Sequence, residues 1–519
     1  MTRQNASVSS QNLYTALRSA FPADLDQIAI ETADTATPLH YRWRDLDRGT
    51  AMIANLLASL KLPAQSRIAV QVEKSVEALM LYLAVLRAGH VYLPLNNAYQ
   101  AAEIEYFIGN AEPAVVVCSG RNFGWISKLA FKAGTRHVFT LDDDRRGSLL
   151  ERAAFHGDQH ETVRRSSDDL AAILYTSGTT GRSKGAMLTH GNLLSNAQVL
   201  KDYWGWAKGD VLIHALPIFH VHGLFVATHG ALLNGSRMIW FSRFDARGVI
   251  ARLAEATVFM GVPTLYVRML ADPGLTPQVC ANMRLFISGS APLLLETFND
   301  WQVRSGHTIL ERYGMSETVM LTSNPCDSAF GERRGGTVGF PLPGVGVRVR
   351  NDQDRDCPTG DIGGIEVRGP NVFSGYWRMP GKTREEFTAD GFFRTGDVGR
   401  WDANGYLSIV GRSKDLIISG GYNVYPAEIE AAINDMPGVA ESAVVGVPHP
   451  DFGEGVVAVV VPKPGVALDG AEIVATLKSR MANFKVPKHL FVVCDLPRNA
   501  MGKVQKNLLR EQHKGLFSG

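Results

Sequence analysis

A loop rich in glycine and hydroxyl groups, set between two apolar runs, carries the sharpest chemical signal in this chain: LAAILYTSGTTGRSKGAMLTHGNLLSN. The strand-like run Leu170 to Leu174 feeds Thr176, Ser177, Gly178, Thr179, Thr180, Gly181 and Ser183, after which Lys184 and Gly185 open the next run. Glycines let backbone N–H groups converge on phosphate oxygens, hydroxyls add neutral donors, and a lysine adds a mobile positive charge. The spacing is not that of a Walker A loop. Counted from Gly178, Ser183 stands where the second glycine is required, and Gly185 stands where Ser or Thr should hold magnesium. A phosphate-cradling loop of another kind is expected.

Four further segments could complete a site. ISGSAPL (287–293) is a strand end with small residues, where a flat ring could approach the backbone closely. ERYGMSET (311–318) offers an aromatic ring, a glycine and then Glu317, a candidate metal–phosphate ligand. GFFRTGDVG (391–399) sets Asp397 after a glycine turn, where a lone acid could accept from ribose hydroxyls. PRNAMGKVQK (497–506) puts Lys503 beside Gly502 in a polar loop near the chain end. Singly, each is compatible with an ordinary structural role.

In order, the series YTSGTTGRSKG, LPIFHVHG, SGSAP, YGMSET, TGD, GRSKDLIISGGYNVYP and NAMGK resembles the adenylate-forming superfamily, from about residue 12 to 510. Within it the chain is similar to malonyl-CoA synthetases, in LIHALPI, RLFISGSAPLL, ERYGM and DLPRNAMGKVQKN above all. The resemblance implies ATP and CoA as co-substrates, Mg2+ as cofactor, and an acyl-adenylate intermediate. It implies that Thr176, Ser177, Gly178, Thr179, Thr180, Gly181 and Lys184 cradle the phosphates. Gly289, Ser290 and Ala291, with Arg312, Tyr313, Gly314, Met315 and Ser316, then belong to the nucleotide site, and Asp397 and Arg412 hold the ribose. Glu317, with Thr179, is implied as metal ligand, Lys503 as catalytic lysine, Lys414 as hinge, and Gly420 and Gly421 as lining for the thiol channel.

Such chemistry has an electrostatic barrier, because a carboxylate must attack the α-phosphate of ATP and both are anions. A lysine between them and a metal on the leaving pyrophosphate would lower it. Thiol attack then needs the lysine out of the way, which a mobile C-terminal domain would allow. For the acid, a second carboxylate would need a partner inside the site. Arg268, in the apolar segment MGVPTLYVRML, can hold one through two parallel bonds. By the resemblance Arg268 and Ser290 contact the carboxylate, and His220 borders the acyl pocket near His222. If Arg268 only covers apolar neighbours, an uncharged short, medium or aryl acid fits better. Loading of a carrier protein and a catalytically silent sensor are the remaining readings.

The elements needed to position these residues are those of an α/β protein. The 519 residues exceed one hydrophobic core, and 45% hydrophobic with 20% charged residues is an ordinary globular balance. Up to about residue 330, runs such as SRIAVQV and AEPAVVVCSG alternate with the helical SVEALMLYLAVLRAG and AAEIEYFIGN, as parallel strands flanked by helices do. About 335–411 reads as a small β subdomain closing an N-terminal domain of 1–411, with a hinge at 412–415 and a mobile α+β domain at 416–519. There Pro426 opens a helix with Ile429, Ile433 and Met436 on one face and Gly438 as its C-cap. A formal charge of +2 without a dense basic run does not indicate nucleic acid, and the longest apolar run stops at Arg87, too short to span a bilayer. Five scattered cysteines indicate neither zinc nor disulfides, which suits the cytoplasm or, less directly, an organelle matrix. No obligatory protein partner is evident.

Overall fold

The computed structural model describes residues 11–35, 37–176, 183–420, 422–499 and 502–517. Two large sheets build the N-terminal part. The first is six-stranded, in the order His137–Thr140, Val115–Cys118, Arg67–Gln71, Val91–Pro94, β1 (Leu170–Thr176) and β2 (Lys184–Thr189). It is parallel except at its last pair, where β1 and β2 run antiparallel with Thr176 opposite Lys184. The second runs His40–Arg42, Ile28–Thr32, Arg237–Trp240, Val211–His214, Val258–Gly261, β3 (Leu285–Ser288), β4 (Leu310–Met315), β5 (Val319–Ser323) and Phe340–Pro341. Its interior pairs are parallel; β4 to β5, and each edge pair, are antiparallel. The expected parallel runs are thus present, in mixed sheets.

Helix Val76–Arg87 shows why its sequence is apolar all round. Every one of its residues is buried, as it packs against helices Leu13–Ser19 and Trp43–Ser59 inside the main core. Helix α1 (Pro263–Leu270) starts on a proline, whose missing N–H costs nothing in a first turn. Tyr266 anchors it, donating its hydroxyl hydrogen to Ile287 O of β3 at 2.7 Å.

The next sheet is antiparallel and four-stranded: Gly346–Arg350, Gly363–Arg368, β6 (Phe393–Trp401) and β7 (Leu407–Arg412). After a short turn at Ser413–Asp415 the chain enters the last sheet with Ile417–Ser419. In that sheet Val439–His449 pairs with Gly453–Pro462, and the strict alternation of the strands loads both faces. Val444, Val456, Ala458 and Val460 meet Ile429, Ile433, Ile473 and Leu477 on one side. Ala443, Val445, Val457 and Val459 meet Leu496 and Leu509 on the other. One local expectation fails: helix Pro426–Asn434 ends on Asp435 in a right-handed conformation. Gly438, at φ 83°, instead accepts from Lys463 N through its carbonyl at the next turn.

Candidate functional site

Lys184 opens β2, directly across the hairpin from Thr176. The loop residues Ser177, Gly178, Thr179, Thr180 and Gly181 lie outside the described residues. The Lys184 ammonium bonds Glu386 Oε1 at 2.8 Å and sits 4.2 Å from the centre of the Tyr376 ring. The Tyr376 hydroxyl is 2.9 Å from Glu386 Oε2 and 3.0 Å from Glu317 Oε1. Burial raises the Glu317 carboxyl above its usual range. Burial also acts on Glu386, but the bonds from Lys184 and Tyr376 outweigh it and hold that carboxyl low. Neither Tyr376 nor Glu386 stood out in the sequence. The only trace of them there is GYW, with an acidic pair in TREEF, far from the loop they join.

Asp397 does not follow a turn. It lies inside β6, where strand alternation sets it on the same buried face as Phe393 and Thr395, directly after Gly396 at φ 73°. Its strand partner is Arg412 of β7, whose Nε reaches Asp397 Oδ1 at 2.8 Å. The Tyr313 hydroxyl donates to Asp397 Oδ2 at 2.5 Å. An aromatic ring, an acid and a guanidinium thus meet on two sheets, a shape suited to a nucleoside.

At the end of β3 the small residues have a steric reason. A Cβ on Gly289 would come within 2.4 Å of Arg312 Cζ. Ser290 holds a left-handed φ of 73°, uncommon for a residue other than glycine, and its hydroxyl lies 3.4 Å from His222 Nδ1. Ala291 follows it, half-buried. His222 begins a π-helical turn, His222–Thr228, a rare form that often marks functional places. Its N–H donates to His220 Nδ1 at 3.3 Å. Gly314, Met315 and Ser316 form the tight corner from β4 to β5, where a Cβ on Gly314 would strike Val319 O.

Arg312 faces this corner. Only 3% exposed, it leaves Nε and Nη2 without a hydrogen-bond partner among the described residues, as do His222 Nε2 and Ser288 Oγ. Burial pulls the guanidinium down to about 9, still charged at neutral pH. Burial, with the charge of Arg312, lowers half-buried His220 to about 4 and His222 well below its ordinary value, so both rings are neutral. Arg268 is exposed on α1 and makes no ion pair or hydrogen bond among the described residues. It lies one helical turn beyond Thr264, on the same face.

That face meets the C-terminal lobe. Gly502, at φ 73°, packs so that a Cβ would lie 3.0 Å from Thr264 Oγ1. Lys503 is held in a turn by its N–H to Asn499 Oδ1 at 3.0 Å and by Asn499 N to its carbonyl at 2.9 Å. Its side chain keeps solvent access, yet the surrounding protein of both lobes and the nearby Arg412 lower its ammonium pKa, against the pull of Asp397 and Asp415. Burial and Arg412 bring exposed Lys414, in the turn between the last two sheets, down to about 8. Lys463 and Glu296 form a 2.5 Å ion pair between the lobes. Gly420, at φ 59°, donates its N–H to Phe452 O; Gly421 lies outside the described residues. No helix among the described residues is long and apolar enough to cross a membrane.

Comparison with known proteins adds to this geometry. A family model described as AMP-binding enzyme matches residues 25–377, and one described as AMP-binding enzyme C-terminal domain matches residues 428–503. The structure of ATP-bound MatB from Rhodopseudomonas palustris is 53% identical, covers 98% of this chain and 100% of that one, and superposes with a TM-score of 0.94. The apo structure of MatB, at the same identity and coverage, gives 0.83, so the arrangement here lies nearer the ATP-bound form. The malonate–CoA ligase of Arabidopsis thaliana is 35% identical over 480 residues, 86% of this chain and 78% of that protein.

Proposed function

This chain belongs to the AMP-binding enzyme family, and from that membership we propose that it is a malonate–CoA ligase. It converts malonate, and methylmalonate as a second acid, with ATP and CoA into the acyl-CoA, AMP and pyrophosphate. One observation supports the dicarboxylate reading and moves Arg312 from its expected place in the nucleotide site to the acid: its buried guanidinium has two unpartnered nitrogens, beside Gly289, Ser290 and the neutral His220 and His222. A buried charge without a partner is costly, and an anionic carboxylate is the ligand that relieves it. Arg268 and Ser290 then complete the hold on the far carboxylate, and His220 borders the acid. An added methyl on the acid is discriminated by only about 1–3 kcal/mol in an apolar pocket.

In the first half-reaction an oxygen of the near carboxylate attacks the α-phosphorus, and the bond to pyrophosphate breaks in line. Lys503 sits between the two anions and offsets their repulsion. Thr176 and the loop through Gly181, with Lys184, hold the β- and γ-phosphates. Tyr313 and the 289–291 turn flank adenine, with Gly314, Met315 and Ser316 behind it, and Asp397 and Arg412 take the ribose hydroxyls. Among the described residues no cluster of three or more His, Cys, Asp or Glu side chains gathers. One buried carboxylate, Glu317, suits Mg2+, which is held by one or two carboxylates and substrate phosphates. Glu317, with Thr179, would hold the ion, which stabilises charge on the leaving pyrophosphate.

In the second half-reaction the CoA thiol loses its proton, its sulfur bonds the acyl carbon, and AMP leaves. Rotation of 416–519 about the 412–415 hinge at Lys414 withdraws Lys503 and brings Gly420 and Gly421 to the thiol path. The five cysteines are free thiols, which agrees with a reducing compartment, and the cytoplasm is the proposed setting.

Pyrophosphate release is to be measured across malonate, methylmalonate, acetate, octanoate and benzoate. Malonate should give the highest kcat/KM, with malonyl-CoA and AMP as products when free CoA is present. Arg312→Met should lower malonate kcat/KM by about 10²-fold, as loss of a buried charge-assisted pair does, and Arg268→Leu by a smaller factor. Preference for acetate or benzoate by the unaltered enzyme would overturn the assignment.

A further inference from the structure

Lys74 follows strand Arg67–Gln71 of the six-stranded sheet, but its Nζ is bonded to residues in and just after strands of the nine-stranded one. It is 8% exposed. Its partners are His214 O at 2.8 Å, Phe241 O at 2.6 Å and His214 Nδ1 at 3.0 Å, and it lies 4.3 Å from the centre of the Trp240 ring. Burial lowers the Lys74 pKa well below its ordinary value. Burial also keeps the His214 ring neutral, and because Gly223 O can only accept, the ring's one proton is on Nε2 and Nδ1 accepts from Lys74.

That proton has a defined destination. His214 Nε2 is 3.0 Å from Gly223 O and 3.1 Å from Thr228 Oγ1, and the Thr228 hydroxyl donates to Gly223 O at 2.9 Å. Both receiving residues belong to the π-helical turn His222–Thr228, whose wider winding needs side-chain support. The segment leading into that turn is less well supported by packing. A cavity of about 150 Å³ borders Pro217, Ile218 and Phe219, and Lys74 and Ser242 line it too. Gly223 itself sits where a Cβ would be 2.1 Å from Pro217 O, so the loop closes tightly on the point that His214 holds.

We propose that Lys74 and His214 are positioning residues for the acid site. From the neighbouring sheet they set the tautomer and the hydrogen bond that fix Gly223, and through it place His222 against Ser290. Neither touches substrate. The proposal rests on the reading of His220, His222 and Ser290 as the wall of the acid pocket.

The test separates KM for the acid from KM for ATP in pyrophosphate release, using whichever acid the unaltered enzyme activates. Lys74→Met and His214→Leu should each raise acid KM about ten-fold while ATP KM stays within about two-fold, the signature of lost acid binding. His214→Gln, which keeps one acceptor and one donor, should restore most of the loss. Thr228→Val should act in the same direction by about three-fold with little change in Tm. Should Lys74→Met fail to fold, the contrast of His214→Leu with His214→Gln and the Thr228→Val result decide by the same split. A parallel rise in both KM values, or a fall in Tm with both unchanged, would overturn the proposal. If malonate is not turned over but the acid-selective shift appears with another acid, the substrate assignment fails and the positioning role stands.

Discussion

At the proposed phosphate end of the site, Lys184 is bonded to Glu386 and Tyr376 bridges Glu386 to Glu317. At the proposed acid end, Arg312 is buried with two nitrogens unpartnered, and His222 Nε2 and Ser288 Oγ are likewise unpartnered among the described residues. Among the described residues the first end pairs Lys184 with Glu386, so a phosphate drawn to Lys184 must displace that bond. The second is desolvated without compensation, at about 1–3 kcal/mol for each such group, and a carboxylate relieves that cost on binding. On the proposed assignment, specificity for the acid resides in preorganised, unmet polarity, whereas Lys184 exchanges one partner for another.

Lys503 is proposed to act between these ends, and changing it should have the largest effect. Lys503→Ala should slow acyl-adenylate formation by about 10²–10³-fold, while thioester formation from supplied acyl-adenylate stays near its original rate. Unaltered adenylation in that variant would remove the mechanism. Glu386→Gln sharpens the comparison at the phosphate end. It frees Lys184 from its partner and should change ATP KM about three-fold with acid KM unchanged, as read by varying each substrate in turn. A shift in acid KM would show that the two ends are not independent.

The smallest effect concerns stability rather than rate. Burial raises the Glu311 carboxyl from its ordinary 4.5 to about 8. Between those values the folded protein keeps a proton that the unfolded chain has lost. Glu311 therefore adds stability below about 4.5 and loses that contribution as pH rises through about 8. Thermal midpoints from pH 5 to 8 should fall more steeply with pH in the unaltered protein than in Glu311→Gln; parallel curves would refute this.

Much of the proposed site is legible in the sequence, because phosphate binding demands several donors within a short stretch. Thr176 to Lys184, Tyr313 and Glu317, Asp397 and Lys503 each lie in a compact signature. The misreadings have a common cause. Asp397 was expected after a turn, yet the pairing of β6 with β7 sets it opposite Arg412, and register depends on a partner strand. Gly438 was expected as a helix cap, but the helix ends earlier because the chain must next enter a strand. No local spacing links Glu386 and Tyr376 to Lys184, so the sequence carries no sign of their meeting.

The amino-acid order alone determined the α/β architecture and the kind of reaction, since short-range composition, period and motif order encode both. Only the folded molecule decided which charges are paired and which are left bare. Burial and pairing arise where segments distant in the chain converge, as Lys184 does with Glu386 and Lys74 with His214, and no local pattern records that convergence.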